Sequence, residues 1–346
     1  MRLGILLRYA GEAGGPRMEQ VLEAERLGYD SVWAGESYGT DAVTPITWVL
    51  ARTTKIKAGT GIMQMSARTP TCAAMTAATL QAMSENRFLL GIGPSGPQVI
   101  EGWHGMAYGK PLTRTREYIA VVRKVLTREA PLQHDGEHYQ IPFTGAGATG
   151  LGKPLRSILH PNPNLKIYTA AISPAGLKTA GEVADGVQPI FMSPERASLV
   201  CEHVLAGMAA AGRGSSLAEF DVAPFVRVAM GSDLAACRDK IRPEMALYIG
   251  GMGARSKNFY NDLVKRMGYE EAAGKIQEAF LAGRRQEAAA AIPDSLIDET
   301  ALVGPPERIR DRLRAWQEGA KKHRIGTMLL GGASSEALRV IAEAVL

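Results

Sequence analysis

One alternation constrains this chain more than any other feature. Short apolar runs recur along its whole length, and most are followed by a stretch with apolar residues at helical spacing. Parallel strands need a long connection, and a helix supplies it, so this order reads as a parallel sheet built from crossover units. The runs fall at Leu3–Leu7, Ser31–Ala34, Ile56–Gly61, Arg87–Ile92, Lys166–Ala171, Gly186–Ile190, Val222–Met230 and Ile325–Leu330. Helical patterns cover 18–27, 44–52, 70–83, 113–128, the stretch from about 174, 305–319 and 335–346. Gly28 closes the first at the usual C′ position, and Pro305-Pro306-Glu307 opens the helix before the last strand.

Eight strands alternating with helices is the count of a (β/α)8 barrel, the TIM-barrel class of α/β fold. The 346 residues hold that fold as a single domain over 1–346, with insertions near 141–165 and 233–291. A doubly wound open sheet fits the same alternation and stays open on pattern alone. With 46% hydrophobic and 22% charged residues, the chain has the means to build a full core, which excludes disorder.

The net charge of +5 is spread thinly, with no basic stretch interleaved with aromatics, so no nucleic-acid partner is expected. A small anionic ligand and plain surface solvation both account for it. Cys72, Cys201 and Cys237 stand far apart in no ligand or redox spacing, which points to a reducing compartment without disulfide or zinc site. The N-terminal apolar run is too short for a signal peptide, and no run approaches the ~18 apolar residues of a membrane span. A cytoplasmic protein with no membrane partner is expected.

In a barrel the chemistry sits in the loops after the strands. Gly91-Ile92-Gly93-Pro94-Ser95-Gly96 fits GxGxxG, but Pro94 and Pro97 remove amide donors, so a loop beside a planar cofactor, or a plain tight turn, suits it better than a dinucleotide fingerprint. Gly147–Lys153 copies seven positions of a P-loop and fails at Pro154; a mobile glycine-rich loop over the barrel mouth is expected there. His134 and His138 have helical metal-ligand spacing, yet Asp135-Gly136 signals a hairpin that removes the shared face, and no metal is expected. Glu36, after the second strand, is a candidate for contacting a cofactor ring or handling a proton, or simply a capping acid. Trp103-His104 is a candidate pocket wall or a packed pair. Ile172-Ser173-Pro174-Ala175 leads into a helix whose free amides make an anion site, or an ordinary Ser cap.

Taken in order, Ser31-Val32-Trp33-Ala34-Gly35-Glu36, Lys57–Ile62, Asn86–Gly93, Tyr168–Pro174, Ala184–Val187 and Gly304–Glu307 resemble the luciferase-like flavin and deazaflavin oxidoreductases, specifically the coenzyme F420-dependent branch. The resemblance spans nearly the whole chain. It implies a barrel enzyme that forms homo-oligomers, and a non-prolyl cis peptide at Gly61–Ile62 behind the cofactor ring. It places the cofactor on Glu36, Gly61, Ile62, Met63, Gln64, Pro94, Ser95, Gly96 and Gln98, with its phosphate on Ala171, Ile172, Ser173, Pro174 and Ala175. Members that oxidise alcohols carry a histidine directly after the acidic residue; Ser37 stands here, a poor base without an activating partner. A reductase that passes hydride from reduced F420 to an activated C=C or C=N bond of a small molecule is therefore expected. Glu36, Ser37, His104 and Tyr9 are the candidates for catalytic work. Lys110, Arg114, Arg116, Lys153 and Arg156 are expected to receive the anionic tail. An FMN-dependent monooxygenase or reductase, and a non-catalytic flavoprotein, are the alternatives.

Overall fold

A computed structural model describes residues 1–7, 16–253, 255 and 257–346; Arg8 and Tyr9 lie outside them. The strands are β1 (Arg2–Leu6), β2 (Ser31–Ala34), β3 (Lys57–Thr60), β4 (Phe88–Gly93), β5 (Ile167–Thr169), β6 (Gly186–Val187), β7 (Phe225–Met230, with Asp221–Val222 leading into it) and β8 (Thr327–Gly331). All pair in parallel with their sequence neighbours, and β8 returns to pair with β1. Bridges Ile190 to Phe225 and Val222 to Ile325 stitch β6, β7 and β8 together. The circle excludes the open sheet and is the expected (β/α)8 barrel. Pro224 cannot donate to a ladder, and the seventh strand breaks there.

The helices are α1 (Met18–Arg26), α2 (Val43–Arg52), α3 (Pro70–Met83), α4 (Pro111–Thr127), α5 (Pro174–Val183), α6 (Ser198–Ala210), α7 (Pro306–His323) and α8 (Ser335–Val345). Their apolar faces cover the outside of the barrel in one large core, with Leu3, Val32, Ala58, Leu90, Val187, Val226 and Met328 turned outward to meet them. The long insertion folds on a separate core that includes Ile241, Met245, Ile249, Val264, Ile276 and Leu296. It reaches further than the expected 291: a helix, Asp294–Thr300, and a strand, Ala301–Gly304, follow, and the strand extends the sheet beside β7.

The barrel interior is filled at mid-height by Trp33, Leu89, Tyr168, Ala223 and Leu329, with Leu6 and Phe225 against them. The Trp33 and Tyr168 rings meet edge to face at 5.0 Å. Near the strands' N-terminal ends the buried Asp221 carboxylate accepts from the Tyr168 hydroxyl (2.9 Å) and the Thr327 hydroxyl (2.8 Å) and pairs with Arg2 (2.8 Å). Burial first, and then Asp221, push the Tyr168 phenol far above its ordinary range, so it stays a neutral donor. That end is plugged.

The 141–165 insertion follows a hairpin. The hairpin His134–Asp135/Gln140–Ile141 forms as read from Asp135-Gly136. Beyond it, Leu132 donates to the Leu155 carbonyl, Arg128 to the Ser157 carbonyl and Asn162 to Asn86. Barrel helices run antiparallel to strands, so the end of α4 and the residues just before β4 belong to the plugged face. The segment is thus tied towards that face from Leu155 onward. Arg156, bonded to the Glu129 carbonyl, goes with it.

Candidate active site

Side chains alternate along a strand, so the row above the filled layer is read two residues on. Trp33 gives way to Gly35, Gly59 to Gly61, Leu89 to Gly91, and Leu329 to Gly331. A large ring and two leucines give way to glycines on three strands, and Gly61 follows Gly59 on the fourth, which leaves a shallow cradle at the C-terminal mouth. Among the described residues, the other long side chains of that row are Gln188 after β6 and Arg227 on β7. Arg227 forms a short ion pair with Glu244 of the insertion.

The wall of this cradle is held by backbone and buried polar groups. The Thr60 hydroxyl donates to the Gly91 carbonyl (2.6 Å) and accepts from the Gly91 amide (3.0 Å). The Gly61–Ile62 peptide is cis, at the position implied by the resemblance. The Ile62 carbonyl accepts the Glu36 amide (3.2 Å), and Met63–Gln64 then pairs with Ile92 and Gly93.

Gln64, fully buried, joins three loops. Its side-chain amide donates to the carbonyls of Glu36 and Ser37 (both 3.4 Å) and to Ser95 Oγ (3.2 Å). Three oxygens around Nε2 fix the orientation of the carboxamide, so Oε1 faces His104 Nε2 in a short contact. An amide oxygen only accepts; His104 therefore carries its proton on Nε2. The Tyr108 hydroxyl donates to the Ser95 carbonyl (3.3 Å), and burial raises that phenol above its ordinary value.

Glu36 lies within this cluster, but its carboxylate is fully engaged. Oε1 accepts from the Gln64 amide (2.7 Å) and Arg68 (2.6 Å), Oε2 from the Ala42 amide (2.9 Å), and the side chain is only 5% exposed. It brackets the loop after β2 to the end of β3. Ser37 is half-buried beside it, and Ser95 adopts a left-handed φ of 56°. Pro94 and Gly96 are half-buried, while Gln98 is exposed on the short helix Pro97–Gly102.

The second group of expected residues lies after β5. Ser173 caps α5, its hydroxyl accepting from the Gly176 amide (3.1 Å), with Pro174 at N1. The cap reading is realised: Pro174 has no N–H and the Gly176 N–H is taken by the cap, so of the first turn Ala175 brings an amide to the helix start, beside the Ser173 hydroxyl proton. Ala171 and Ile172 precede it, half-buried, with Ala175 exposed; Arg266 of the insertion donates to the Ile172 carbonyl (3.0 Å), a cation at that helix start which the sequence did not single out. Of the basic residues expected to receive a tail, Arg114 reaches Ser66 Oγ (3.3 Å) near the mouth, Lys110 pairs with Glu137, and Arg116 with Glu182 on the outer helices. Among the described residues no group of three or more His, Cys, Asp or Glu is placed to hold a metal, and no helix is long and apolar enough to cross a membrane.

A family model described as luciferase-like monooxygenase matches residues 1–322. The chain belongs to that family. It is an enzyme, a luciferase-like oxidoreductase. A Mycobacterium tuberculosis protein assigned as a coenzyme F420-dependent oxidoreductase is 41% identical over 345 residues, covering 99% of this chain and 98% of its own. A 5,10-methylenetetrahydromethanopterin reductase of Methanolobus tindarius is 26% identical over 333 residues, 93% of each chain. The solved coenzyme F420-dependent tetrahydromethanopterin reductase of Methanopyrus kandleri superposes with a TM-score of 0.76 at 22% identity, covering 99% of this chain and 98% of its own, a likeness that shows the fold.

Proposed function

We propose that this protein is a coenzyme F420-dependent reductase that delivers hydride to an activated C=C or C=N bond of a small organic substrate. The observation that carries the reading is the glycine row at the mouth. A flat tricyclic ring can lie against backbone, and at Gly35, Gly61, Gly91 and Gly331 the strands bring close-packed backbone to the mouth, where the layer below is filled by side chains. The 41% identical relative supports F420 as the group seated there. Reduced deazaflavin supplies the hydride when bound, and the protein supplies orientation and a proton.

The chain's own residues divide that work. The α5 start, with the Ser173 hydroxyl and the Ala175 amide, would hold the phosphate, because a helix N-terminus favours an anion through its dipole and the N–H directed out of it. Arg266 adds positive charge beside it. His104, whose Nε2–H is held by Gln64, would give the proton from Nδ1 as the doubly protonated imidazolium and return to the neutral Nε2–H form. Glu36 and Gln64 spend their side chains on holding the loops, so we assign them to positioning. Ser37 in place of a histidine supports reduction over alcohol oxidation.

The test is a titration of the purified protein with F420 and, separately, FMN, followed by tryptophan emission. Trp33 lies directly beneath Gly61, whose Cβ position would be 3.3 Å from the Trp33 side chain, so a seated ring is expected to quench it. Saturable micromolar binding of F420 with weak FMN binding is the expected result. Tight FMN binding alone would make the chain an FMN-dependent oxidoreductase on the same barrel.

We also infer that the chain self-associates through the outer face of α3. That helix carries no charged residue, and its outward side presents Cys72, Met75, Thr79 and Met83, with Met75 61% and Met83 71% exposed. A helix apolar on both sides is normally covered on both. The double substitution Met75→Glu with Met83→Glu is expected to convert an oligomer to monomer by light scattering. A monomeric wild type at micromolar concentration would refute the inference.

A further inference from the structure

Gln188 is 2% exposed, and neither its carboxamide oxygen nor its nitrogen has a hydrogen-bond partner. Its backbone is fixed, the amide donating to the Thr169 carbonyl (3.0 Å). Its position follows from the strand alternation: Gly186 faces the Tyr168 ring inside the barrel, so Gln188, two residues on, faces the cradle. The oxygen Oε1 lies 3.3 Å from where a Cβ on Gly61 would stand and 3.4 Å from one on Gly91. The group therefore sits against the same backbone that forms the cradle wall. An unpaired amide of this kind is costly, and buried polar groups are almost always paired. The other long polar side chain of this row, Arg227, is satisfied by Glu244. Among the described residues of this row, Gln188 is the one whose polar side-chain atoms are left without a partner.

We propose that Gln188 is a ligand-contacting residue that pairs its carboxamide with an amide-like edge, a carbonyl beside an N–H, on the ring seated in the cradle. A carboxamide holds one acceptor and two donors in a plane, which complements a pyrimidinedione edge and suits a carboxylate or an alcohol less well. This assignment rests on the reading of the mouth as a deazaflavin site. It also predicts something about the protein without ligand: replacing an unpaired buried amide by an apolar group of similar volume removes a penalty and breaks no bond.

The experiment compares wild type with Gln188→Leu in two measurements, apo melting temperature and F420 affinity, with kinetics on a reducible enone as a third. The expected result is an unchanged or raised melting temperature together with affinity for F420 weakened about tenfold, the size of a well-made hydrogen-bond pair. Wild-type affinity in the variant would overturn the proposal, whether or not KM for the enone rises. A lowered apo melting temperature would also overturn it, because the side chain would then be satisfied inside the fold. If wild type binds neither F420 nor FMN while folding normally, the reading of the site fails first and takes this assignment with it.

Discussion

Gly91→Ala is expected to destabilise the barrel by about 3 kcal/mol or more and to abolish ligand binding at temperatures where the variant is still folded. A Cβ at this position would stand 1.9 Å from the Thr60 carbonyl oxygen, 3.1 Å from its carbon and 3.4 Å from Gln188 Oε1. Backbone oxygen at that distance cannot be relieved by turning a side chain. Either β3 or β4 must move, and both are anchored to the same pair of bonds between the Thr60 hydroxyl and the Gly91 backbone. Thr60 is also the last residue before Gly61, so any shift is passed directly to the cradle wall. With an unfolding entropy of about 2 cal/mol/K per residue, 3 kcal/mol lowers the melting temperature by about 4 °C. Gly93→Ala is the control. Its Cβ would meet only the Ile62 side chain, at 3.1 Å, and that side chain has rotamers to yield. It is expected to cost about 1 kcal/mol. Equal, small effects of the two substitutions would show that the glycine row is not a close-packed wall.

The barrel was legible because its signals are local. Each strand and helix is marked by its own periodicity, and the boundaries differ from the reading by a residue or two in most cases, as at Lys57–Thr60 against Ile56–Gly61. The order of strands followed from their number and spacing. What stayed hidden depends on contacts distant in sequence. Ala301–Gly304 is a short apolar run between a helix and Pro305-Pro306, and nothing near it announces that it will lie beside β7. The 141–165 segment has the composition of a lid, but its tethers to Leu132, Arg128 and Asn86 join residues far apart in sequence, and nothing local announces which partners they find. In the site, the pieces of the mouth were recognisable one by one, as was the place of the Gly61–Ile62 bond. Their division of labour was not. A glutamate after a strand reads as a candidate for chemistry, and only the converging Ala42, Gln64 and Arg68 donors show its carboxylate to be occupied. Gln188 falls inside the run Gly186–Ile190, and nothing local marks it out. Its significance needed the period-two alternation of the strands, which turns scattered glycines into a single row with one unpaired amide in it.

The same occupancy leads to the last prediction. Glu36→Ala, read from sequence alone, should weaken cofactor binding without unfolding the barrel. The structure adds a definite stability cost to that expectation. Removing the carboxylate strands the Ala42 and Gln64 amides and leaves Arg68, 21% exposed, with only Asp41 at 3.8 Å as a counter-charge. Losing one partner of such a buried pair costs about 3 kcal/mol, since the remaining charge and donors are desolvated without compensation. The apo protein should therefore melt about 4 °C lower. F420 affinity should fall by about tenfold or more, because the Gln64 amide, His104 and the loop after β2 lose their common anchor. Glu36→Gln keeps an acceptor for the Gln64 amide but not the charge facing Arg68, and should fall between the two. The pair of measurements separates the roles open to this residue. Weakened binding with an unaltered apo melting temperature would mean that the carboxylate touches the ligand directly. Lowered stability with unaltered affinity would mean that the bracket serves the fold and not the site. The geometry requires both to move together, since the bonds that hold the loop after β2 to the end of β3 are the same bonds that place Gln64 and, through it, His104.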